Sequence, residues 1–157
     1  MGSRGGTGYS GGSSSVLGSL PGGSTFSSED NLTGSDAADA AAERAYAPYS
    51  RFHVGCAVLT RDGRVIEGVN VENAAFGATI CAEANAISSA AAAGVRKIDT
   101  IAVGCLDAAE CYPCGNCRQL MREFEVERVI VQGQGGRMRI HTLDELLPHS
   151  FGPEHLG

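Results

Sequence analysis

The sequence predicts an α/β protein, an α/β/α sandwich built on a mixed five-stranded sheet. Three observations predict it. Asp62-Gly63 lies between two strand-like runs, a strong hairpin signal. Downstream, helical stretches alternate with short apolar runs, the order that places helices on the faces of a sheet. The last two strand-like runs are joined only by Gly133-Gln134-Gly135-Gly136-Arg137, too short for a crossover helix, so they should pair antiparallel.

Residues 1–34 are mostly Gly, Ser and Thr. Such a segment buries too little apolar surface to offset its ordering entropy, so it is expected to be a flexible tail. The folded domain is then expected over residues 35–157. Asp36 to Ala47 is Ala-rich and precedes Pro48, which predicts a short helix capped by Asp36. Gly55 to Thr60 and Val65 to Val71 form the hairpin strands. Cys81 to Ala93 reads as a buried helix of small residues, with Gly94 as its stop. Ile98 to Cys105 is an apolar run suited to a central strand. Cys114 to Phe124 reads as a second helix with Leu120, Met121 and Phe124 on one face. Arg128 to Gln132 and Met138 to His141 complete the sheet, and Leu143 to Leu147 is a helical turn before Pro148.

The net charge is −6, which argues against a surface built for nucleic-acid phosphates. No apolar run approaches the ~20 residues needed to cross a bilayer, and the N-terminal residues lack the order of a secretory signal. A soluble, intracellular, cytoplasmic protein without membrane or nucleic-acid partners is expected. In that setting the six cysteines point to metal binding or reduced thiols before disulfides.

Two segments carry chemistry: Cys81-Ala82-Glu83 and Pro113-Cys114-Gly115-Asn116-Cys117, each opening a predicted helix. A residue spacing of three puts the Cys114 and Cys117 sulfurs on one side of a first helical turn. Cys81 would supply a third thiolate from a neighbouring helix. Three protein ligands with one open position make a catalytic Zn²⁺ site, whereas a structural site takes four. His53, His141, His149 and His155 show no paired spacing that would supply the fourth. Both helix N-termini would aim N–H groups and positive dipole ends at the thiolates. Glu83, two residues past Cys81, is placed to move protons rather than bind the metal. Cys, one residue, Glu, then Pro-Cys-x-x-Cys is the zinc-deaminase pattern, with Glu as acid and base. A redox pair and a structural zinc half-site are the plainer readings of Cys-x-x-Cys, and the upstream Cys-Ala-Glu weighs against both.

The chain resembles the small cytidine deaminase family from about Ala45 to Leu156. The likeness lies in Ala45-Tyr46-Ala47-Pro48-Tyr49-Ser50-Arg51-Phe52-His53-Val54-Gly55, Asn70-Val71-Glu72-Asn73-Ala74, Pro113 to Glu123, and Phe151-Gly152-Pro153-Glu154. The resemblance implies a cytidine deaminase-like fold and zinc-dependent hydrolysis of cytidine and deoxycytidine, within pyrimidine salvage. It implies that Asn70 and Glu72 bind the ribose 3′-hydroxyl, that Phe52 packs on the nucleoside, and that the Ala82 N–H meets the cytosine carbonyl. It implies a homotetramer in which Phe151 reaches an adjacent subunit's site. From their types alone, Asn70 and Glu72 could instead be solvated strand-end residues, and Phe52 and Phe151 core or interface residues.

The chain departs from the family in three places: Ala84 where Arg commonly follows Cys-Ala-Glu, Tyr112 where Ser commonly precedes Pro-Cys, and the segment Ala75 to Ile80. Helix N-termini, with Arg118, are expected to offset the thiolate charge in place of that Arg. Cys56 and Cys105 are expected in the core, Cys111 as a bystander, and Arg122-Glu123-Glu125-Glu127-Arg128 as a solvated helix end. Other readings are deamination of a modified cytosine nucleoside or nucleoside antibiotic, as in blasticidin S deaminases, polynucleotide editing, or a non-catalytic structural zinc protein.

Overall fold

A computed structural model of the chain describes residues 27–133 and 136–157. The elements run α1 (Ser28–Ala42), β1 (Val54–Leu59), β2 (Val65–Val69), α2 (Ala82–Ala92), β3 (Thr100–Cys105), α3 (Gly115–Glu123), β4 (Arg128–Gly133), β5 (Arg137–Thr142) and α4 (Leu143–Leu146). The strands form one five-stranded sheet in the order β2-β1-β3-β4-β5. The pair β3–β4 is parallel, and β1–β2, β1–β3 and β4–β5 are antiparallel. This is the mixed sheet the sequence predicts, with the last two strands antiparallel as expected. No helix among the described residues is long and apolar enough to cross a membrane.

Period-two alternation divides the core between the two faces of the sheet. Cys56, Val58, Ile101, Val103, Val129 and Val131 face α2 and α3, where Ala86, Ile87, Ala90, Cys117 and Met121 cover them. Ala57, Leu59, Ala102 and Ile130 face the other way, onto Ala38 of α1. Helix α1 lies almost on the sheet backbone, because a Cβ on Gly55 would stand 2.0 Å from the Ala38 carbonyl oxygen. That closeness explains its small-residue face of Gly34, Ala38, Ala41 and Ala42.

Helix α1 begins earlier than its composition suggests. Ser27 is the N-cap and exchanges a capping box with Asp30, so the helix starts well before Asp36. The expected boundary at Gly34 therefore falls inside α1, where Asn31, Gly34 and Ser35 are buried; residues 1–26 of the expected tail lie outside the described residues. The helix also stops at Ala42, short of Pro48, and Tyr46 instead bridges Val71. In α3 the buried residues are Cys117 and Met121, with the C-cap Phe124 half-buried beside them, while Leu120 is exposed.

Of the charges expected to form a solvated helix end, Glu123 and Glu125 are exposed, and Arg122, Glu125 and Glu127 make ion pairs. Arg122 is half-buried and bonds Ser150 and Glu154 of the C-terminal segment. Glu125 pairs with Lys97, and Glu127 with Arg61. Arg61 in turn grips the buried Asp99 carboxylate at 2.8 and 2.9 Å, tying the β1–β2 hairpin to the start of β3.

The connectivity positions the site. Strands β2 and β3 both run antiparallel to β1, so they share a direction, and both end beside the first residues of β1. Each is followed by a crossover helix, α2 then α3, on the same face of the sheet. The N-termini of α2 and α3 thus meet at one sheet edge, the usual place for ligands in such folds.

Candidate functional site

Cys81 is the N-cap of α2 and Cys114 the N-cap of α3, both in extended backbone. Cys117 lies one turn into α3 and is buried. The three sulfurs lie within 4.8 Å of one another, with Cys81 Sγ and Cys114 Sγ 3.8 Å apart. That is too far for a disulfide, whose sulfurs are about 2.05 Å apart. It matches the edge of a tetrahedron with metal–sulfur bonds of about 2.3 Å, an edge of about 3.8 Å. Three thiols at that spacing suit a soft-to-borderline ion such as Zn²⁺. Among the described residues the metal-ligating group comprises these three cysteines, one fewer than the four protein ligands of a structural zinc site.

Local sequence explains the placement. Asn85 Nδ2 donates to the Val69 carbonyl at 3.1 Å, fastening the first turn of α2 to the end of β2. Arg118 Nε donates to the Pro113 carbonyl at 2.8 Å and its Nη1 to the Leu146 carbonyl at 2.7 Å. Arg118 therefore fixes the residue before Cys114 and ties it to α4, so its hydrogen bonds are made to carbonyls rather than to the thiols.

Glu83 is the second residue of α2 and is 4% exposed. Burial raises its carboxyl above the usual range, opposed by its own backbone N–H and by the Cys117 thiol. Burial likewise raises Cys81, helped by Cys114 and Glu83, and raises Cys117, helped by Glu83. At Cys114 burial acts upward too, but the Cys117 N–H and the Cys117 and Cys81 thiols outweigh it and lower the pKa. A buried carboxyl with a raised pKa beside three thiols is a candidate to take and give protons at the site. Ala82, between Cys81 and Glu83, is buried in the first turn of α2.

The structure brings Asn70, Glu72 and Phe52 together at the same sheet edge. Asn70 Oδ1 accepts from the Val54 N–H at 2.9 Å, and its Nδ2 donates to the Phe52 carbonyl at 2.8 Å. Glu72 Oε2 accepts from the N–H groups of Tyr49 and Ser50 at 2.8 and 3.2 Å, and Oε1 from the Ser50 hydroxyl. These residues are more than solvated strand-end groups, because they hold the 49–54 segment in place. An amide has four hydrogen-bonding positions and a carboxylate about four, so each keeps capacity for a ligand. Phe52 is 38% exposed on that segment. Phe151 sits elsewhere, on the C-terminal segment, with its carbonyl bonded to Gln119 and its ring stacked on His155 at 5.2 Å between centroids.

Cys56 is buried as expected, and Cys105 is half-buried at the end of β3. Burial, with Cys105 and Glu83 nearby, pushes the Cys111 thiol up to about 12. Tyr112 packs on His141, ring centroids 5.5 Å apart. The sequence assigns no contact to Ser50, His53 or Asp107, whose partners are distant in the chain and leave no spacing signal.

The family described as "Cytidine and deoxycytidylate deaminase zinc-binding region" matches residues 28–132. The chain is 43% identical over 119 residues to the cytidine deaminase of Halalkalibacterium halodurans, covering 74% of this chain and 90% of that protein. It is 39% identical over 118 residues to the cytidine deaminase of Mycobacterium tuberculosis, covering 74% and 85%. Among solved structures, the cytidine deaminase of Burkholderia pseudomallei superposes with a TM-score of 0.72 at 44% identity, covering 76% of this chain and 98% of that one.

Proposed function

This chain belongs to the cytidine and deoxycytidylate deaminase family, and on that premise we propose that it hydrolyses cytidine and deoxycytidine to uridine and deoxyuridine, releasing ammonia. The observation that carries the reading is Glu83, buried beside a three-thiol group at the meeting N-termini of two helices.

Cys81, Cys114 and Cys117 would hold the zinc ion, which when bound supplies Lewis acidity that makes water nucleophilic near neutral pH. Glu83 takes the proton of the attacking water and delivers it to pyrimidine N3 as oxygen bonds to C4. It then takes the proton of the new C4 hydroxyl and passes it to the amino group, so that the C4–N bond breaks, ammonia leaves and the C4 carbonyl forms. Burial raises its carboxyl pKa, and that shift is in the direction that favours holding and giving a proton. The Ala82 N–H meets the cytosine carbonyl. Asn70 and Glu72 use their remaining hydrogen-bonding positions on the ribose 3′-hydroxyl, and Phe52 packs on the nucleoside.

The reaction serves pyrimidine salvage in the cytoplasm. The active form is a homotetramer in which Phe151 completes an adjacent subunit's site. Exposed Tyr46, Tyr49, Phe76, Ile80 and Phe151 support that assembly, since large exposed apolar side chains mark association surfaces.

The test is to mix zinc-loaded protein with cytidine, following the fall in absorbance and the release of ammonia. Stoichiometric uridine and ammonia are expected. Absence of conversion with zinc bound and the fold intact would overturn the substrate assignment.

A further inference from the structure

We propose that Asp107 is a positioning residue for the nucleoside: acting through His53, it fixes the seat from which Phe52 meets the substrate. The inference rests on the reading of Phe52 given above and assigns a role to two residues outside the family-derived site.

The β1–β3 ladder ends at the pair Val54–Cys105. Beyond it, a side chain continues the pairing. Asp107 Oδ2 lies 2.7 Å from the His53 backbone nitrogen and 2.8 Å from its Nδ1, and the Leu106 N–H donates to the His53 carbonyl at 3.2 Å. On the opposite flank, Asn70 takes the Phe52 carbonyl and the Val54 N–H. The Phe52 N–H donates to the Ser50 hydroxyl at 3.0 Å. Every backbone donor and acceptor from the Phe52 nitrogen to the Val54 nitrogen is therefore bonded. Arg51, just before, is held at φ 58°, a left-handed conformation that a side-chain-bearing residue keeps only when its surroundings impose it.

The clasp is double. Without Asp107 the His53 N–H and ring would lose their partner, and His53 would be held only through its carbonyl by Leu106. A carboxylate accepting from the backbone and the ring of one residue fixes both its position and its orientation. Nδ1–H can donate to Asp107 whether or not Nε2 carries a proton, so the clasp does not depend on the charge of His53. Asp107 also opens the loop that leads to Cys114. It thus ties the aromatic wall of the nucleoside site to the segment that carries two of the three thiols.

A residue that positions an aromatic wall acts on substrate and transition state alike, so its loss should raise KM and spare kcat. The test measures kcat and KM for cytidine, and amide hydrogen exchange over residues 50–54, in wild type, Asp107→Ala, Asp107→Asn and His53→Ala. Asp107→Ala is expected to raise KM about tenfold with kcat within about twofold. It should also speed exchange at His53 and its neighbours about tenfold. Asp107→Asn keeps an oxygen that can accept both bonds and should restore most of both. His53→Ala keeps only the backbone bond and should fall between, so that if Asp107→Ala fails to fold the other two variants carry the contrast. Unchanged KM in the alanine variants, with or without faster exchange, would overturn the proposal, as would an Asn variant no better than Ala. If wild type does not turn over cytidine, the proposed function fails, and the exchange series still decides whether the clasp exists.

Discussion

Gly68 of β2 lies against Ala82, the first residue of α2: a Cβ on Gly68 would stand 2.5 Å from the Ala82 carbonyl oxygen and 2.4 Å from the Ala86 nitrogen. The obstructing atoms are backbone, so no side chain can give way. Cys81 and Glu83 flank Ala82, and the depth of α2 on the sheet sets the position of both. Gly68→Ala is expected to destabilise the fold by about 1–3 kcal/mol and to weaken zinc retention. Gly55→Ala makes a comparable clash with α1 on the opposite face. It should lower stability while the folded protein keeps its zinc affinity. Urea denaturation with chelator competition separates the two effects. Equal zinc affinity in both variants would show that the α2 contact does not set the site.

Removing any one thiol of the triad should remove the metal. Cys81→Ser, Cys114→Ser and Cys117→Ser are each expected to purify with far less than one zinc per chain by elemental analysis. Cys111→Ser, outside the triad, should retain one. Stripping zinc from the parent protein should lower its melting temperature, because an ion that binds the folded state at a thousand times its dissociation constant stabilises by about 4 kcal/mol. A full zinc complement in a triad variant would contradict the assignment of ligands.

Asn70 joins the two sides of the 52–54 segment through one part-buried amide. Asn70→Ala leaves the Val54 N–H and the Phe52 carbonyl without that partner. A loss of about 1–3 kcal/mol is expected, together with a raised KM. Stability equal to wild type in urea would mean that water replaces the amide without cost.

Glu72 gives the chain a pH dependence of known sign. The Ser50 hydroxyl, together with the Tyr49 and Ser50 N–H groups, lowers its carboxyl pKa against a weaker opposing effect of burial. A depressed carboxyl contributes stability above its unfolded value, about 4.3. That stability is lost as pH falls through the lower folded value. In zinc-free protein, melting temperature should fall below about pH 4 more steeply in wild type than in Glu72→Gln. Parallel profiles would remove Glu72 from the acid response.

The metal centre was legible because its signal is local. Cys114 and Cys117 share one helical turn, and Cys-Ala-Glu needs only the start of a second helix to present a thiol and a carboxyl together. The sheet was legible from the hairpin, the apolar runs and the short final link. The start of α1 was not, because Gly34, Ser35 and their neighbours read alike as a flexible tail and as a face for close packing. Only the sheet beneath them decides between those readings. The partners of Asn70, Glu72 and His53 lie 16 to 54 residues away, joined by tertiary structure alone. For the same reason the charges at the end of α3 gave no sign of the C-terminal segment that Arg122 holds.

The central claim is that Glu83 moves the protons in a zinc-dependent deamination, and Glu83→Gln tests it most directly. The amide is close in shape to the carboxylate but cannot take up the proton, and loss of a general acid–base group typically costs 10²–10⁴-fold. The measurement is kcat for cytidine in wild type and Glu83→Gln, with zinc content and melting temperature recorded on the same samples. A folded variant with one zinc per chain and turnover reduced by at least about a hundredfold is expected. A folded, zinc-loaded Glu83→Gln that deaminates cytidine at the wild-type rate would contradict it.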